Sequence, residues 1–408
     1  MVSKLAHPHP GLARLQPYPF QRLRGLLEGV TPPADVTPVA LSIGEPRHPV
    51  PEFITETLRQ AIDTSIGRYP ATLGTESLRA GIAEWLEWRF SLPSGGIDAA
   101  TQILPAAGTR EALFAVTQAL VDPAERPGVI MPNPFYQIYE GAARLAGAEP
   151  IYLNTDPGSD ELPDIDRIDA ATWRRCGLIY LCSPGNPNGR VLPQSFWARL
   201  FALQDTHGFI IAADECYSEL YRDEAAAPLG LLAACQAAGR PEYTGCLVFH
   251  SLSKRSNVPG LRSGFIAGDA QLIRDFAAYR TYQGCALPLH VQQASLMAWK
   301  DETHVRENRA AYRTKFAVAS RLLQDVIPYR EPEAGFYLWL SIPGGDDEAF
   351  ARQLYATTGV TVLPGRYLSR PTAAGDPGAG RVRLALVAET GICEDALGRI
   401  RQFIEQTD

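Results

Sequence analysis

Lys254 follows a turn rich in hydroxyl side chains and precedes an arginine by eight positions. The segment reads Ser251-Leu252-Ser253-Lys254-Arg255-Ser256-Asn257-Val258-Pro259-Gly260-Leu261-Arg262. A lysine amine forms an imine with an aldehyde, and hydroxyl and guanidinium groups bind phosphate. Pyridoxal phosphate (PLP) carries an aldehyde and a phosphate. Taken alone the segment is more typical of a solvated loop, so its meaning depends on the elements that position it.

The composition of the 408 residues is typical of a globular protein with more than one domain, with 46% hydrophobic and 20% charged residues. The net charge of −7 argues against nucleic acid or an anionic membrane as the main partner. No apolar run reaches the ~18–20 residues that cross a bilayer, and the amino terminus lacks the apolar core of a signal peptide. We therefore expect a cytoplasmic protein.

The seven cysteines are scattered singly, without a close CxxC pair. This spacing predicts neither a disulfide framework nor a zinc site, and we expect no bound metal. Cys176, Cys182 and Cys216 lie in or near apolar runs, which favours small core residues over nucleophiles.

Short apolar runs alternate with helical segments through the middle of the chain. Strands are predicted at 102–105, 128–131, 149–153, 178–182, 209–213, 246–250 and 263–267, and helices at 78–90, 109–121, 136–145 and 193–205. Continuous apolar strands that alternate with helices indicate a largely parallel sheet covered on both faces.

The pattern changes near residue 290. A long helical segment over 290–326 precedes strands at 335–340, 359–363 and 381–386, helices at 347–355 and 394–405, and a loop at 371–380. We predict a smaller α+β domain over 291–408 and a large domain over 49–290. The proline-rich residues 1–48 form an amino-terminal arm that is expected to pack against the smaller domain.

In α/β sheets of this type, ligands bind at the carboxyl ends of the strands. Gly108 and Thr109 follow the first predicted strand and open a helix, whose free N–H groups suit phosphate. Tyr136, with Phe135 as the alternative, follows the second strand and could stack on a pyridine ring. Asn186 follows the next buried strand and could donate to the phenolic oxygen of PLP. Each residue also has an ordinary interpretation, as a helix cap, core aromatic or turn residue.

Asp214 ends a four-residue apolar strand, where a carboxylate is costly unless it is paired. It would pair with the protonated pyridine nitrogen and keep the ring an electron sink. Tyr217, three residues on, could bind the O3′ oxygen of the ring. The Lys254 segment follows the next strand. Five strand ends thus offer the groups that PLP requires, and the ordered set predicts a PLP site.

Over almost its whole length the chain resembles the class I/II aminotransferases, PLP enzymes of fold type I. The matching segments are Ser42-Ile43-Gly44-Glu45-Pro46, Arg68-Tyr69-Pro70, Ala107-Gly108-Thr109, Asn186-Pro187-Asn188-Gly189, Asp214-Glu215-Cys216-Tyr217, Ser251-Leu252-Ser253-Lys254 with Arg262, and Arg381-Val382-Arg383-Leu384. The resemblance implies a large domain with a mostly parallel seven-stranded sheet and a smaller α+β domain.

The resemblance also implies roles for individual residues. It assigns the imine to Lys254, the pyridine nitrogen to Asp214, O3′ to Asn186 and Tyr217, the phosphate to Gly108, Thr109, Ser251 and Arg262, and the substrate α-carboxylate to Arg383 with the backbone around Gly44. Tyr69 would reach the phosphate of a neighbouring subunit, which implies a homodimer with shared active sites. Lys254 would move the proton from the substrate α-carbon to C4′ of PLP, with ping-pong kinetics.

Residues 15–23, 41–49 and 67–74 resemble bacterial N-succinyl-LL-diaminopimelate aminotransferases of lysine biosynthesis, which use glutamate and 2-oxoglutarate as the partner couple. Arg47 and Arg280 are candidates for a distal carboxylate, although solvated surface arginines are commoner. Aspartate, alanine or aromatic aminotransferases and C–S lyases on the same scaffold remain alternatives. A non-catalytic PLP or effector-binding module is the alternative from another class; transcription regulators of that kind carry a helix-turn-helix domain, for which the leading fifty residues leave no room.

Overall fold

The computed structural model describes residues 10–155 and 161–406. Its strands are β1 (Val39–Ala40), β2 (Ile103–Ala106), β3 (Gly128–Asn133), β4 (Glu149–Asn154), β5 (Cys176–Cys182), β6 (Ile210–Asp214), β7 (Cys246–Ser251), β8 (Gly264–Gly268), β9 (Tyr337–Ser341), β10 (Val360–Thr361), β11 (Leu363–Pro364) and β12 (Arg381–Ala385).

Its helices are α1 (Pro19–Leu26), α2 (Glu52–Ser65), α3 (Glu76–Phe90), α4 (Thr109–Leu120), α5 (Gln137–Leu145), α6 (Ala170–Arg174), α7 (Gln194–His207), α8 (Leu231–Ala237), α9 (Leu252–Arg255), α10 (Ala270–Gln283), α11 (Leu289–Lys300), α12 (Thr303–Leu323), α13 (Asp347–Thr358) and α14 (Thr390–Glu405). Single 3₁₀ turns occupy Leu12–Arg14, Ile165–Arg167, Pro259–Leu261 and Gly365–Tyr367.

Seven strands form the large sheet in the order β2-β8-β7-β6-β5-β3-β4. The contacts among β3 to β7 are parallel, whereas β8 runs antiparallel to both β2 and β7. Because β2 and β7 both oppose β8, every strand except β8 points the same way. The predicted mostly parallel seven-stranded sheet is confirmed, and each of its predicted strands overlaps an observed one.

Alternate residues of each strand belong to two apolar clusters, one on either face of this sheet. In β6, for example, Ile211 and Ala213 lie in one cluster and Ala212 lies in the other. Helices α4, α5 and α10 contribute to the second cluster, and α3, α7, α8 and α11 contribute to the first. Burial on both faces explains why the strands are continuous apolar runs.

A three-stranded antiparallel sheet, β11-β12-β9, forms the smaller unit. Helices α12, α13 and α14 pack on it around a separate apolar cluster that also contains Leu41. Strand β1 of the leading segment pairs in parallel with β10. The division into domains at residues 48 and 290 stays a prediction.

The single long helical segment predicted over 290–326 is divided in the structure into α11 and α12. The break falls at Asp301, whose carboxylate accepts a hydrogen bond of 3.0 Å from the backbone N–H of His304. A short acidic side chain in this position begins a new helix because it satisfies a free N–H of the first turn. Helix α12 connects the two units. It carries Asn308, which contacts the Lys254 backbone, and two turns later Phe316, which lies in the core of the smaller unit.

Within residues 10–155 and 161–406, every helix is too short or too polar to cross a membrane. The same residues contain no group of three or more histidine, cysteine or acidic side chains placed to hold a metal ion.

Candidate active site

A cavity of about 620 Å³ opens at the carboxyl ends of the parallel strands. Its floor is formed by the ends of β5, β6 and β7. Its walls come from the starts of α4 and α5, the turn after α9, the smaller unit and the leading segment. Ten of the twelve predicted site residues line it: Gly44, Thr109, Tyr136, Asn186, Asp214, Tyr217, Ser251, Lys254, Arg262 and Arg383. The convergence follows from topology, because strands that point the same way end at the same edge of a sheet.

Lys254 lies in α9, the single helical turn that begins directly after β7. Its Nζ donates a hydrogen bond of 2.9 Å to the carbonyl of Gly44. Burial lowers the pKa of Lys254 to about 8, and the nearby guanidinium of Arg383 acts in the same direction. More of this amine is therefore uncharged near neutral pH than in an ordinary lysine, and the uncharged form is the one that a nucleophile or a general base requires.

Asp214 is the last residue of β6 and is 4% exposed. The Tyr139 hydroxyl donates to its Oδ2 at 2.7 Å, and the backbone N–H of Cys216 donates to its Oδ1 at 3.2 Å. Burial nevertheless raises the pKa of the Asp214 carboxyl. In the described part of the chain it has no ion-pair partner, so a cation in the cavity would stabilise its charged form.

A cradle for an anion lies where α4 begins. Gly108 has φ +83°, and a Cβ on it would collide with the guanidinium of Arg262. The Arg262 side chain therefore packs against the turn that exposes the first N–H groups of α4. Thr109 begins this helix, and Ser251 lies in the same wall of the cavity. A guanidinium, two hydroxyls and a helix amino terminus form a set of groups that binds phosphate.

Arg383 reaches the cavity from β12 and is 4% exposed. Its two terminal nitrogens donate to Asn186 Oδ1 at 3.0 Å and to the Ser42 carbonyl at 2.9 Å, while its Nε has no partner. The guanidinium carbon lies 4.2 Å from the centre of the Tyr337 ring. A buried guanidinium whose protein partners are all neutral is suited to bind a carboxylate.

The two aromatic candidates for stacking on the ring, Tyr136 and Phe135, lie in different environments. Tyr136 lines the cavity, whereas Phe135 is 1% exposed and stacks on Tyr152 with ring centres 5.5 Å apart. The Tyr217 hydroxyl lies 3.2 Å from that of Tyr337, and burial raises the pKa of Tyr217. Tyr217 is therefore a protonated hydrogen-bond donor.

Some candidate residues lie away from the cavity. Tyr69 is fully exposed and does not contact the cavity of its own chain. Gly108 lies behind the Arg262 side chain. Arg47 is exposed outside the cavity. Arg280 is buried, and both carboxylate oxygens of Glu111 bind it at 2.6 and 2.7 Å, so both interpretations of Arg280, as a substrate ligand and as a solvated residue, are wrong.

Several cavity residues carried no prediction. Sequence signals existed for Arg110, which follows Thr109 in α4, and for Tyr139, one helical turn after Tyr136. None existed for Tyr337, which is distant in the chain. The polar and aromatic residues that were missed include Tyr18, Phe20, Glu45, Arg110 and Tyr337, which line the cavity, and Tyr139 behind Asp214. Cys182 and Cys216, predicted to be core residues, also line the cavity.

The described residues fit PLP, because the cavity combines an amine of lowered pKa, a buried carboxylate without a cation and an anion cradle. Comparison with known families agrees. Residues 36–400 match the family model for aminotransferase class I and II, and the chain belongs to this family. It is a PLP-dependent enzyme that exchanges amino groups between amino acids and 2-oxo acids.

Individual relatives cover almost the whole chain. An LL-diaminopimelate aminotransferase of Nitratidesulfovibrio vulgaris (strain Miyazaki F) is 32% identical over 95% of this chain and 97% of its own length. The structure of an aminotransferase from Neisseria meningitidis Z2491 has a TM-score of 0.93 and 46% identity, covering 97% of this chain and 100% of that one. A probable N-succinyldiaminopimelate aminotransferase from Thermus thermophilus has a TM-score of 0.82 and 25% identity, covering 94% and 99%.

Proposed function

We propose that the chain transfers the amino group of N-succinyl-LL-2,6-diaminopimelate to 2-oxoglutarate by a ping-pong mechanism, in lysine and diaminopimelate biosynthesis. The observation that carries the transaminase assignment is the convergence of Lys254, Asp214 and Arg383 on one cavity. Free LL-diaminopimelate is the second candidate donor, and the similarity to an LL-diaminopimelate aminotransferase that is 32% identical favours it.

The roles proposed for the cofactor-binding residues follow their positions. Asp214 would hold the ring nitrogen, Asn186 and Tyr217 would hold the phenolic oxygen, and Tyr136 would stack on the ring. The phosphate would be held by Gly108, Thr109, Ser251 and Arg262. When bound, PLP supplies an aldehyde that takes up the amino group and a protonated ring that delocalises the electrons left by proton removal. The buried Asp214 charge keeps that ring protonated.

Lys254 moves the proton in this proposal. Its pKa of about 8 places it close to the operating pH of a general base. It takes a proton from the α-carbon of the substrate and delivers it to C4′ of the cofactor. The Gly44 carbonyl accepts a hydrogen bond from its Nζ and so holds the amine at the cavity wall that Arg383 and Asn186 also form.

Arg383 binds the α-carboxylate and thereby orients the α-carbon toward Lys254. Arg110 is proposed to bind a carboxylate at the distal end. Among the described cavity residues, Arg110, Lys254, Arg262 and Arg383 are the cations. The other three are already assigned to the aldehyde, the phosphate and the α-carboxylate. The Arg110 Nε donates to the Tyr136 hydroxyl at 2.7 Å, which directs its guanidinium along the cavity wall. Glu45, also in the wall, would favour a free distal amine.

Half-reaction spectroscopy tests this assignment. The PLP-loaded enzyme should convert from aldehyde-linked to amine-form absorbance with N-succinyl-LL-diaminopimelate and revert with 2-oxoglutarate. Aspartate, alanine and aromatic amino acids should react more slowly, and a C–S lyase would release thiol or ammonia instead. Lys254→Ala should abolish conversion. Full activity in that variant would exclude the mechanism, and no response to any donor would favour an effector-binding module.

The distal residues distinguish the two diaminopimelate donors. Arg110→Met removes a charged hydrogen-bond donor worth about 1.5–3 kcal/mol, so we expect about a 10–100-fold loss of kcat/KM for the N-succinyl substrate. Glu45→Gln is the matched variant, because it should affect only the donor with a free distal amine. Faster turnover of LL-diaminopimelate, with loss of activity in Glu45→Gln, would establish the second candidate.

We also propose a homodimer in which Tyr69 serves the partner's cavity. Tyr69 is fully exposed, and Ile62, Ile66 and Leu73 on either side of it in the sequence are exposed apolar residues. Exposed apolar patches of this kind mark interaction surfaces. Sedimentation analysis should give twice the chain mass, and Tyr69→Phe should weaken PLP binding. A monomer with unchanged PLP affinity in that variant would contradict the proposal.

A further inference from the structure

A second set of hydrogen bonds, outside the cavity, ends at the backbone carbonyl of Lys254. We propose that Lys315, His48 and Asn308 form a directional chain of hydrogen bonds that positions Lys254. Lys315 Nζ lies 2.6 Å from His48 Nε2, His48 Nδ1 lies 2.7 Å from Asn308 Oδ1, and Asn308 Nδ2 lies 3.2 Å from the Lys254 carbonyl. The inference rests on the proposed role of Lys254 as the base.

The direction of each bond follows from the chemistry of its ends. Carbonyls only accept, so Asn308 Nδ2 must donate to the carbonyls of Lys254 and Arg255, the latter at 3.4 Å. The Asn308 Oδ1 is then an acceptor, for His48 and for Asn257 Nδ2 at 3.1 Å. His48 therefore carries its proton on Nδ1, and the free lone pair of Nε2 accepts from the ammonium.

The chain of bonds holds two parts of the site. Helix α9 has a single turn, whose last carbonyls need partners from outside the helix, and Asn308 supplies one to Lys254. The carbonyl of Gly44, four residues before His48, accepts from the Lys254 Nζ. The segment from Gly44 to His48 is thus linked to both the side chain and the backbone of Lys254. Displacing His48 would move the amine relative to the cavity.

The system requires a neutral His48. Lys315 is 1% exposed and forms no ion pair within the described residues. Protonated His48 would place a second N–H donor and a second positive charge against the Lys315 ammonium at 2.6 Å. Burial already lowers the pKa of His48 and lowers that of Lys315 to about 8. As pH falls, protonation of His48 breaks the first link.

Among the described residues, no carboxylate lies near enough to His48 to favour its protonated form. The Tyr312 ring of α12 lies 4.4 Å from the imidazole of His48. Arg59 of α2 and His48 line one surface groove. Glu389 and Cys393, at the start of α14, raise the pKa of Lys315 and so favour its charged form. Arg47 adjoins His48 in the chain. Acid conditions should therefore lower activity through the position of Lys254.

Histidine titration tests the chain without relying on transamination. Hydrogen–deuterium exchange at the imidazole carbon, followed by mass spectrometry, gives the pKa of His48 in the coenzyme-free and PLP-loaded protein. We expect a value below 6.5 that rises in Lys315→Met, because that variant removes the adjacent cation. Lys300→Met is the control, since Lys300 is half exposed at the surface. The proposal would be overturned if His48 had an ordinary histidine pKa that stayed the same in Lys315→Met.

Kinetics test the positioning role. Asn308→Leu keeps the volume of the side chain but removes the links from Asn308 to His48 and to the Lys254 backbone. We expect kcat to fall about tenfold, with KM nearly unchanged because Arg383 is untouched. His48→Asn keeps a donor near the Nδ1 position but cannot titrate, so the acid limb assigned to His48 should disappear. An Asn308→Leu enzyme with normal kcat would refute the inference. Activity in Lys254→Ala would instead refute the proposed function and leave the His48 titration interpretable.

Discussion

The hydrogen bond between Tyr139 and Asp214 allows a quantitative prediction. Tyr139 is completely buried, and its ring stacks on Tyr180 with centres 4.4 Å apart. Replacement by phenylalanine removes only the hydroxyl that donates to Asp214 Oδ2 at 2.7 Å. The carboxylate keeps the Cys216 backbone donor. The substitution therefore isolates one bond to one buried charge.

The size of the effect follows from that bond. A hydrogen bond to a charged group contributes about 1.5–3 kcal/mol, and one pKa unit corresponds to about 1.4 kcal/mol. Tyr139→Phe should thus raise the pKa of Asp214 by about 1–2 units. Burial already raises this pKa above the unfolded value, so the ionised carboxylate costs stability at neutral pH, and the cost vanishes as pH falls through the folded pKa. The variant enlarges that cost.

We expect the coenzyme-free variant to be less stable than the unmodified protein by about 2 kcal/mol at neutral pH, with the difference shrinking as the solution becomes acidic. PLP affinity should fall most at mildly acidic pH, where the variant protonates Asp214. Denaturant unfolding and fluorescence titration with PLP across pH measure both quantities. Tyr180→Phe is the matched control, because the Tyr180 hydroxyl is also buried and bonds to the Leu113 carbonyl and Thr117.

The reasoning would be refuted by a stability difference that does not depend on pH. It would also be refuted if Tyr180→Phe reproduced the pH dependence of Tyr139→Phe, because loss of a buried hydroxyl in general would then explain both.

Further predictions concern other parts of the cavity. Arg383→Lys loses the planar guanidinium that donates to Asn186 and Ser42. Steady-state kinetics should therefore show the KM for the amino donor rising about 100-fold, and an unchanged KM would exclude carboxylate binding by Arg383. Gly108→Ala forces a side chain against Arg262 at φ +83°. We therefore expect the free energy of unfolding to fall by about 1–2 kcal/mol and calorimetry to show weaker binding of inorganic phosphate. Unchanged phosphate affinity would place the anion cradle elsewhere. In coenzyme-free enzyme, the rate of reaction of Lys254 with pyridoxal should rise with pH and level off above about 8; a rise continuing toward the ordinary lysine value of about 10.4 would contradict the lowered pKa.

Local features of the sequence were enough to predict much of the site. Asp214 was recognised because it follows a predicted buried strand, and Ser251 because it opens the hydroxyl-rich turn after another. Thr109 was recognised because it opens a helix after a third strand. Parallel strands bring such positions to one edge, so the order of the strand ends indicates which residues meet. The choice of Tyr136 over Phe135 agrees with the structure, which buries Phe135 against Tyr152.

The errors came from contacts between distant residues. Arg280 was considered as a substrate ligand, but Glu111, 169 positions earlier, neutralises it. Cys182 and Cys216 occupy apolar runs yet face the cavity, because the last residue of a strand and the turn after it leave the core. The break between α11 and α12 was missed because the apolar spacing continues through Asp301.

The order of strands and helices, the polar residues at the strand ends and the family can all be recognised from the sequence. These are local properties, set by apolar periodicity and by the residue that follows each run. The folded structure is needed to show that Tyr139 donates to Asp214 and that Arg110 shares the cavity with Arg383. It is also needed to show that Lys315 is linked to Lys254 through His48 and Asn308. His48 and Lys315 are 267 positions apart, and no periodicity along a chain records which distant side chains its folding brings within hydrogen-bond distance.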